Sequence, residues 1–165
     1  MNNKQVANNW RQQTNKGKNG SHMFYEGRTI YSYGYHFPMA YITNMKHDGK
    51  TIILQNSDSY SNSTARHLSY MRSECYDDAI IAIRTGTLKQ AIKEYKVLGK
   101  MSQQTIDTAT EEIEKRLAYS LAKQARARTL KDAWQYDIDR DIAQLQILGK
   151  EIRTTGLKEV LQATL

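Results

Sequence analysis

The chain has 165 residues, 39% of them hydrophobic and 25% charged, with a mean hydropathy of -0.72; this allows one domain with a core, or a small domain with a helical extension, and excludes disorder throughout. A single cysteine, Cys75, excludes an intramolecular disulfide, and the longest strongly apolar run, residues 79–83, is far too short to cross a bilayer. The formal charge of +7 favours nucleic acid or acidic partners, or serves solubility, and is spread as seven Lys or Arg against three acids in residues 1–60 and seventeen against fourteen in residues 61–165. The opening residues lack an apolar signal segment, so a reducing cytoplasm is the expected compartment.

Val6 and Trp10, one turn apart, predict a short N-terminal helix, ended by the polar loop of residues 15–20. Residues 21–60 are the only part that reads as sheet. Met23 to Tyr25 and Thr29 to Tyr33 flank a turn at Glu26-Gly27, while Met39 to Asn44 and Lys50 to Gln55 flank the stronger signal His47-Asp48-Gly49. An antiparallel meander of about four strands follows. If the second strand runs far enough, Tyr31, Tyr33 and Tyr35 share one face, with Ile30, Ser32 and Gly34 on the other.

The Ser-rich connector at 57–64 supplies a helix cap, and Leu68, Met71, Cys75, Ala79 and Ile83 recur at helical spacing. They predict a long amphipathic helix over 65–84 that covers one sheet face and stops at Gly86. Thr87-Leu-Lys-Gln90 fits a capping box for the next helix, which ends at Gly99. From Ser102 to Leu148 there is no Gly or Pro. Ile106, Thr110, Ile113, Leu117 and Leu121 form one stripe, and Leu130, Trp134, Ile138, Ile142, Leu145 and Leu148 another, with a cap signal at Thr129 between them. Such stripes bury each other in a helical hairpin or bury a second copy of the chain. Leu157 to Leu165 reads as a short last helix. The expected architecture is therefore α+β: an α+β domain over 1–100, then a helical region over 101–165 that serves as a dimerisation or partner surface.

No catalytic, cofactor or metal motif is present. His22, His36, His47 and His67 form neither HExxH nor a set with CxxC, and GxSxG, GxxxxGK[ST] and GxGxxG are all missing. The chain reads as a protein without enzymatic activity. Phe24, Tyr25, Arg28, Tyr31, Tyr33, Tyr35, His36 and Tyr41 interleave aromatic and basic character, a pattern that stacks bases in single-strand binders; packing of the sheet against a helix is the preferred reading, because the helix expected at 65–84 needs an apolar face to cover. Lys123, Arg126, Arg128 and Lys131 cluster at the helical junction, where a solvated surface is preferred over phosphate binding. Asp132 and Asp139 lie opposite the Leu130/Trp134 stripe, where they meet a basic partner or, more commonly, solvate the helix; Asp137 and Asp141 flank the stripe more closely, where a polar residue can specify pairing register as in a dimer, although helix-edge placement is the simpler explanation.

The segments Val6-Ala-Asn-Asn-Trp10, Phe24-Tyr-Glu-Gly27, Thr29-Ile-Tyr-Ser-Tyr-Gly-Tyr-His-Phe-Pro-Met-Ala40 and Asp58-Ser-Tyr-Ser-Asn-Ser-Thr-Ala-Arg-His67 together resemble a small domain that recurs in phage and prophage proteins, over roughly the first 70 residues. The resemblance brings no assigned chemistry and no functional residue. In size, polarity and helical C-terminal region the chain also looks similar to small early phage proteins that disable a host machine, among them inhibitors of the host sliding clamp from Twort-like staphylococcal phages. The resemblance implies a stoichiometric inhibitor of a host protein in DNA replication. Because a clamp channel is lined with positive charge, a ligand of net charge +7 has to meet it with an acidic face, and Asp132 and Asp139 are the residues that would supply one. The alternative is a nucleic-acid-binding module using Arg28, Tyr31, Tyr33, Tyr35 and the lysines of the 15–20 loop, Lys16 and Lys18.

Overall fold

The structure, a computed structural model, describes residues 1–151, so the expected helix at 157–165 lies outside the described residues. It contains two compact units, Met1–Met101 and a second that begins at Ser102. The first is a five-stranded sheet in the order β1-β2-β3-β4-β5 with three helices, α1 (Asn3–Gln12), α2 (Asn62–Ser73) and α3 (Thr85–Leu98). Its strands are β1 (Met23–Glu26), β2 (Thr29–Ser32), β3 (Pro38–His47), β4 (Lys50–Asn56) and β5 (Ala79–Ile83). The α+β class and the helical C-terminal region are as expected from the sequence.

Turn chemistry sets the meander. Asp48 and Gly49 adopt φ of 51° and 79°, the left-handed pair a tight hairpin between β3 and β4 requires, and Gly27 at φ 53° serves β1 and β2 in the same way. The β1-β2-β3-β4 pairs are antiparallel. The predicted helix over 65–84 is corrected: α2 ends at Ser73, and Ala79–Ile83 is a fifth strand, paired parallel to β4. Ala79-Ile-Ile-Ala-Ile83 is dominated by β-branched residues, whose preference for the pleated surface outweighs the spacing that matched a helix at Cys75, Ala79 and Ile83. Its burial alternates as a strand requires, with Ala79, Ile81 and Ile83 fully buried.

α1 and α2 close one face of the sheet over a core of Val6, Trp10, Met23, Tyr25, Ile30, Met39, Ile53, Leu68 and Met71. Trp10 has no exposed surface, and its indole N–H donates to the Arg28 carbonyl at 2.9 Å, which locks α1 to the β1–β2 turn. α3 covers β3 and β4 on the other face, where Tyr95 meets Tyr41. The capping box expected at 87–90 gives way to a start at Thr85, capped from a distance: the Asp58 carboxylate accepts from the Thr85 N–H and hydroxyl at 2.9 and 2.8 Å. Gly99, at φ 72°, ends α3 as expected.

In the second unit, α4 (Gln103–Arg126) and α5 (Lys131–Glu151) pack as a helical hairpin. Ile106, Ile113, Leu117, Ile138, Leu145 and Leu148 are buried, and Trp134 and Ile142 are half-buried. Leu130 does not belong to the stripe. It is 74% exposed, sits in the turn at φ 63°, and its carbonyl rather than a Thr129 side chain receives the first helical bond, from Trp134 N–H. Asp141, fully buried, accepts from Arg116 at 3.1 Å and from Arg140 at 3.3 Å, and Arg116 also donates to Gln144. A charge pair across the two helices fixes which turns face each other, since a slipped register would strand the carboxylate in apolar surroundings.

Candidate interaction surface

The loop between β2 and β3 decides where the sequence-predicted residues go. Tyr33 follows the last residue of β2 with φ 64°, a left-handed conformation that costs a bulky side chain about 1–2 kcal/mol. Its N–H donates to the His22 carbonyl at 2.7 Å, and Gly34 N–H turns back to the Ser32 carbonyl at 2.8 Å. The tyrosines therefore do not share one face. Tyr31 stacks on its cross-strand neighbour Phe24 with centroids 5.0 Å apart, and Tyr35 meets both rings edge-on. Tyr33 instead lies against His22 at 4.9 Å and His67 at 5.2 Å, beside α2. The strand stops one residue too early for the alternation to carry on, because the chain must turn sharply before Pro38.

Exposure separates these residues further. Tyr31 is buried, and its burial raises the phenol pKa, whereas Tyr33 and Tyr35 are 50% and 61% exposed. Tyr35 donates its hydroxyl to Glu26, and that bond is the main cause of its raised pKa. Tyr60, also exposed, meets Phe37 edge-on at 5.0 Å and so brings the Ser-rich connector against the same loop. Arg28 is exposed but anchored, donating through Nη1 to the carbonyls of Ile42 and Thr43 at 3.2 Å. In the second unit Asp132 and Asp139 are both exposed, and Asp139 accepts from Gln135 at 2.8 Å.

One catalytic-looking arrangement, absent from the sequence reading, is Ser32 Oγ at 2.6 Å from His67 Nδ1. Asn3 settles its chemistry. The Asn3 Oδ1 accepts from the backbone N–H groups of His22 and Met23, which turns Nδ2 toward His67 Nε2 at 3.5 Å. With Asn3 as the donor, Nε2 is the acceptor, and the matching tautomer donates from Nδ1 to Ser32. Both residues are also buried, at 1% and 4% exposure. Burial first, then His22 and Arg66, lowers the His67 pKa and keeps the ring neutral. The pair is a tie between β2 and α2, and no sequence motif announces it.

Two other places that commonly hold ligands are occupied by the chain itself. At the carboxyl ends of the parallel pair β4 and β5, Asn56 donates to the Pro38 carbonyl and to Thr85, while Asp58 caps α3. Burial works to raise the Asp58 carboxyl, but the Thr85 and Arg84 donors outweigh it and hold it below the usual range. An open cleft of about 570 Å³ runs between α1 and residues 74–78. Along it Arg11 holds Asp78 through two bonds of 2.6 and 2.7 Å and Asn8 donates to Glu74, while Asp77 also lines it. Among the described residues, no three of His, Cys, Asp and Glu are grouped to hold a metal ion, and no helix is long and apolar enough to cross a membrane.

No protein-family model matches the chain, and neither a curated protein nor a solved structure matches it.

Proposed function

We propose that the chain is a phage-encoded host-takeover protein that binds a host protein and inhibits it stoichiometrically, without catalysis, in the host cytoplasm. The observation that carries this reading is Tyr33, a half-exposed ring held in a costly backbone conformation between His22 and His67. Stacking on His22 and His67 offsets part of that strain, yet half of the ring is left to solvent at a position where glycine would be free of strain. Binding gives a reason to keep a tyrosine there. A tyrosine offers apolar area and a polar tip for two rotatable angles, and one already stacked loses little freedom when a partner covers it. Tyr35 and Tyr60 extend the same loop cluster as exposed rings.

The partner class we propose is a protein of DNA replication, with the sliding clamp as the first to test. Support from charge is confined to α5, where Asp132 and Asp139 stand seven residues apart on one exposed helix face and would meet a basic channel. The test is calorimetric titration of purified host sliding clamp, paired with affinity capture from nuclease-treated host lysate. The reading expects saturable binding, weakened about tenfold or more by Tyr33→Ala, since a central aromatic contributes at least about 1.4 kcal/mol at an interface. Asp132→Asn/Asp139→Asn would weaken clamp binding specifically. If the clamp gives no heat but another host protein is retained at near-stoichiometric yield and depends on Tyr33, the partner changes and the mode of action stands. Retention of no protein would end the proposal.

A further inference from the structure

The turn of the helical hairpin carries a feature that the binding surface of the first unit does not use. Residues 119–131 contain four cations, Lys123, Arg126, Arg128 and Lys131, and no carboxylate. All four are exposed, and among the described residues none is engaged in an ion pair. Lys123 lies 5.3 Å over the ring of Tyr119, which is itself 58% exposed. Charges of one sign this near in the chain repel; the C-terminus of α4 offsets part of that for Lys123 and Arg126, which lie in its last turn, and an anionic partner would relieve the rest.

Leu130 is the second, independent observation. It occupies a left-handed backbone position that glycine or asparagine would fill without strain, and its side chain is 74% exposed in the midst of the four cations. It packs into no core and caps no helix with its side chain, so the stability of the hairpin does not account for a leucine there.

We infer that this turn is a nucleic-acid contact, in which the four cations engage phosphates and Leu130 and Tyr119 meet sugar or base surfaces. Phosphodiester backbones offer closely spaced negative charges that separately mounted cations can neutralise without a fixed geometry. Leucine is among the side chains that wedge at base steps, and tyrosine among those that stack on bases. A membrane is the poorer fit, since one leucine offers far less apolar surface than the single acyl chain that itself gives only marginal anchoring. An acidic protein surface would ask for an apolar centre larger than one residue.

The test is fluorescence anisotropy of a labelled oligonucleotide, as single strand and as duplex, titrated with the full chain over a range of KCl concentrations. Phosphatidylserine vesicles and polyglutamate serve as the other polyanions. Binding to either nucleic-acid form is expected, falling steeply with salt. In Lys123→Gln/Arg126→Gln/Arg128→Gln/Lys131→Gln the slope of log K against log salt should shrink by about 0.9 per lost contact on duplex, or about 0.7 on single strand. Leu130→Gly should keep the slope, lower the affinity, and unfold at a temperature no lower than the parent, which separates a binding role from a structural one. Tyr33→Ala should leave nucleic-acid binding unchanged, so this inference and the protein-inhibitor reading fail separately. Undiminished binding by the quadruple variant, or a parent chain that binds vesicles or polyglutamate but neither oligonucleotide, or none of these probes, would overturn it.

Discussion

The two units solve the problem of alignment by opposite means. In the first, register comes from turns and cross-strand neighbours, and the buried Ser32, His67 and Asn56 that tie its elements together are neutral and hydrogen-bonded. In the second, two helices that offer no turn chemistry along their length are aligned by a buried ion pair, Arg116 with Asp141. A sheet has its register written into backbone pairing, whereas a helical hairpin has only its side chains, so a charge is put where apolar residues alone would let the helices slide. The protein also carries one tryptophan in each unit, Trp10 and Trp134, so each unit has its own fluorescent reporter.

The sharpest way to break the first mode is Trp10→Ala, which leaves a large cavity and orphans the Arg28 carbonyl. A loss of about 3–5 kcal/mol is expected, read by urea denaturation followed by far-ultraviolet circular dichroism, with Trp134 fluorescence tracking the second unit as the control. Next in size is Arg116→Met, which deprives the buried Asp141 of its cross-helix partner. The expected loss is about 3 kcal/mol, at the low end for a buried pair because Arg140 remains at 3.3 Å. Arg116→Met/Asp141→Leu should recover most of that loss in a double-mutant cycle; if it does not, the pair is not what aligns the helices.

The same contrast explains what could be read in advance. The hairpins, α1, the glycine stop at Gly99 and the two facing helical stripes were legible because each rests on a local rule of turn chemistry or periodicity. β5 was not, because its five residues match a helix at three- and four-residue spacing and only their pairing with β4 distinguishes the two. At the candidate site, exposed Tyr35 and Arg28 could be picked out by composition, but the separation of Tyr33 from Tyr31 depends on the turn beginning at Tyr33 itself, a starting point that the turn signals Gly34 and Pro38 do not fix. Asp137 and Asp141 read alike in the sequence, as helix-edge residues before register-setting ones; that Asp141 alone is fully buried follows from packing of α4 that the sequence of α5 does not contain. The Ser32–His67–Asn3 tie joins residues far apart in the chain, so no spacing rule reaches it.

Smaller effects sharpen the comparison by asking how closed the first unit is. Since the folded His67 pKa lies below its ordinary 6.5, the unfolded chain binds the extra proton first as pH falls. Stability is therefore complete above about 6.5 and declines as pH drops from there through the depressed folded value. Melting temperatures across that window should show the decline, and His67→Gln should flatten it. For Cys75, burial foremost pushes the thiol up to about 12, so almost no thiolate exists at neutral pH. Iodoacetamide should leave Cys75 unmodified in the native protein and label it once urea unfolds the first unit, as followed by intact mass.

The parallel seating of β5 on β4 bears on how the chain is made. Strands β1 to β4 pair with sequence neighbours through tight turns, so they can assemble as soon as they leave the ribosome. β5 arrives only after α2 has been synthesised, and until then β4 presents an open edge along Ile52, Ile53 and Leu54. An apolar edge of that kind is a template for pairing with another chain. During translation, the interval between residues 56 and 79 is thus the period in which the β4 edge stands open, and β5 closes that edge while becoming the outer strand of the sheet itself.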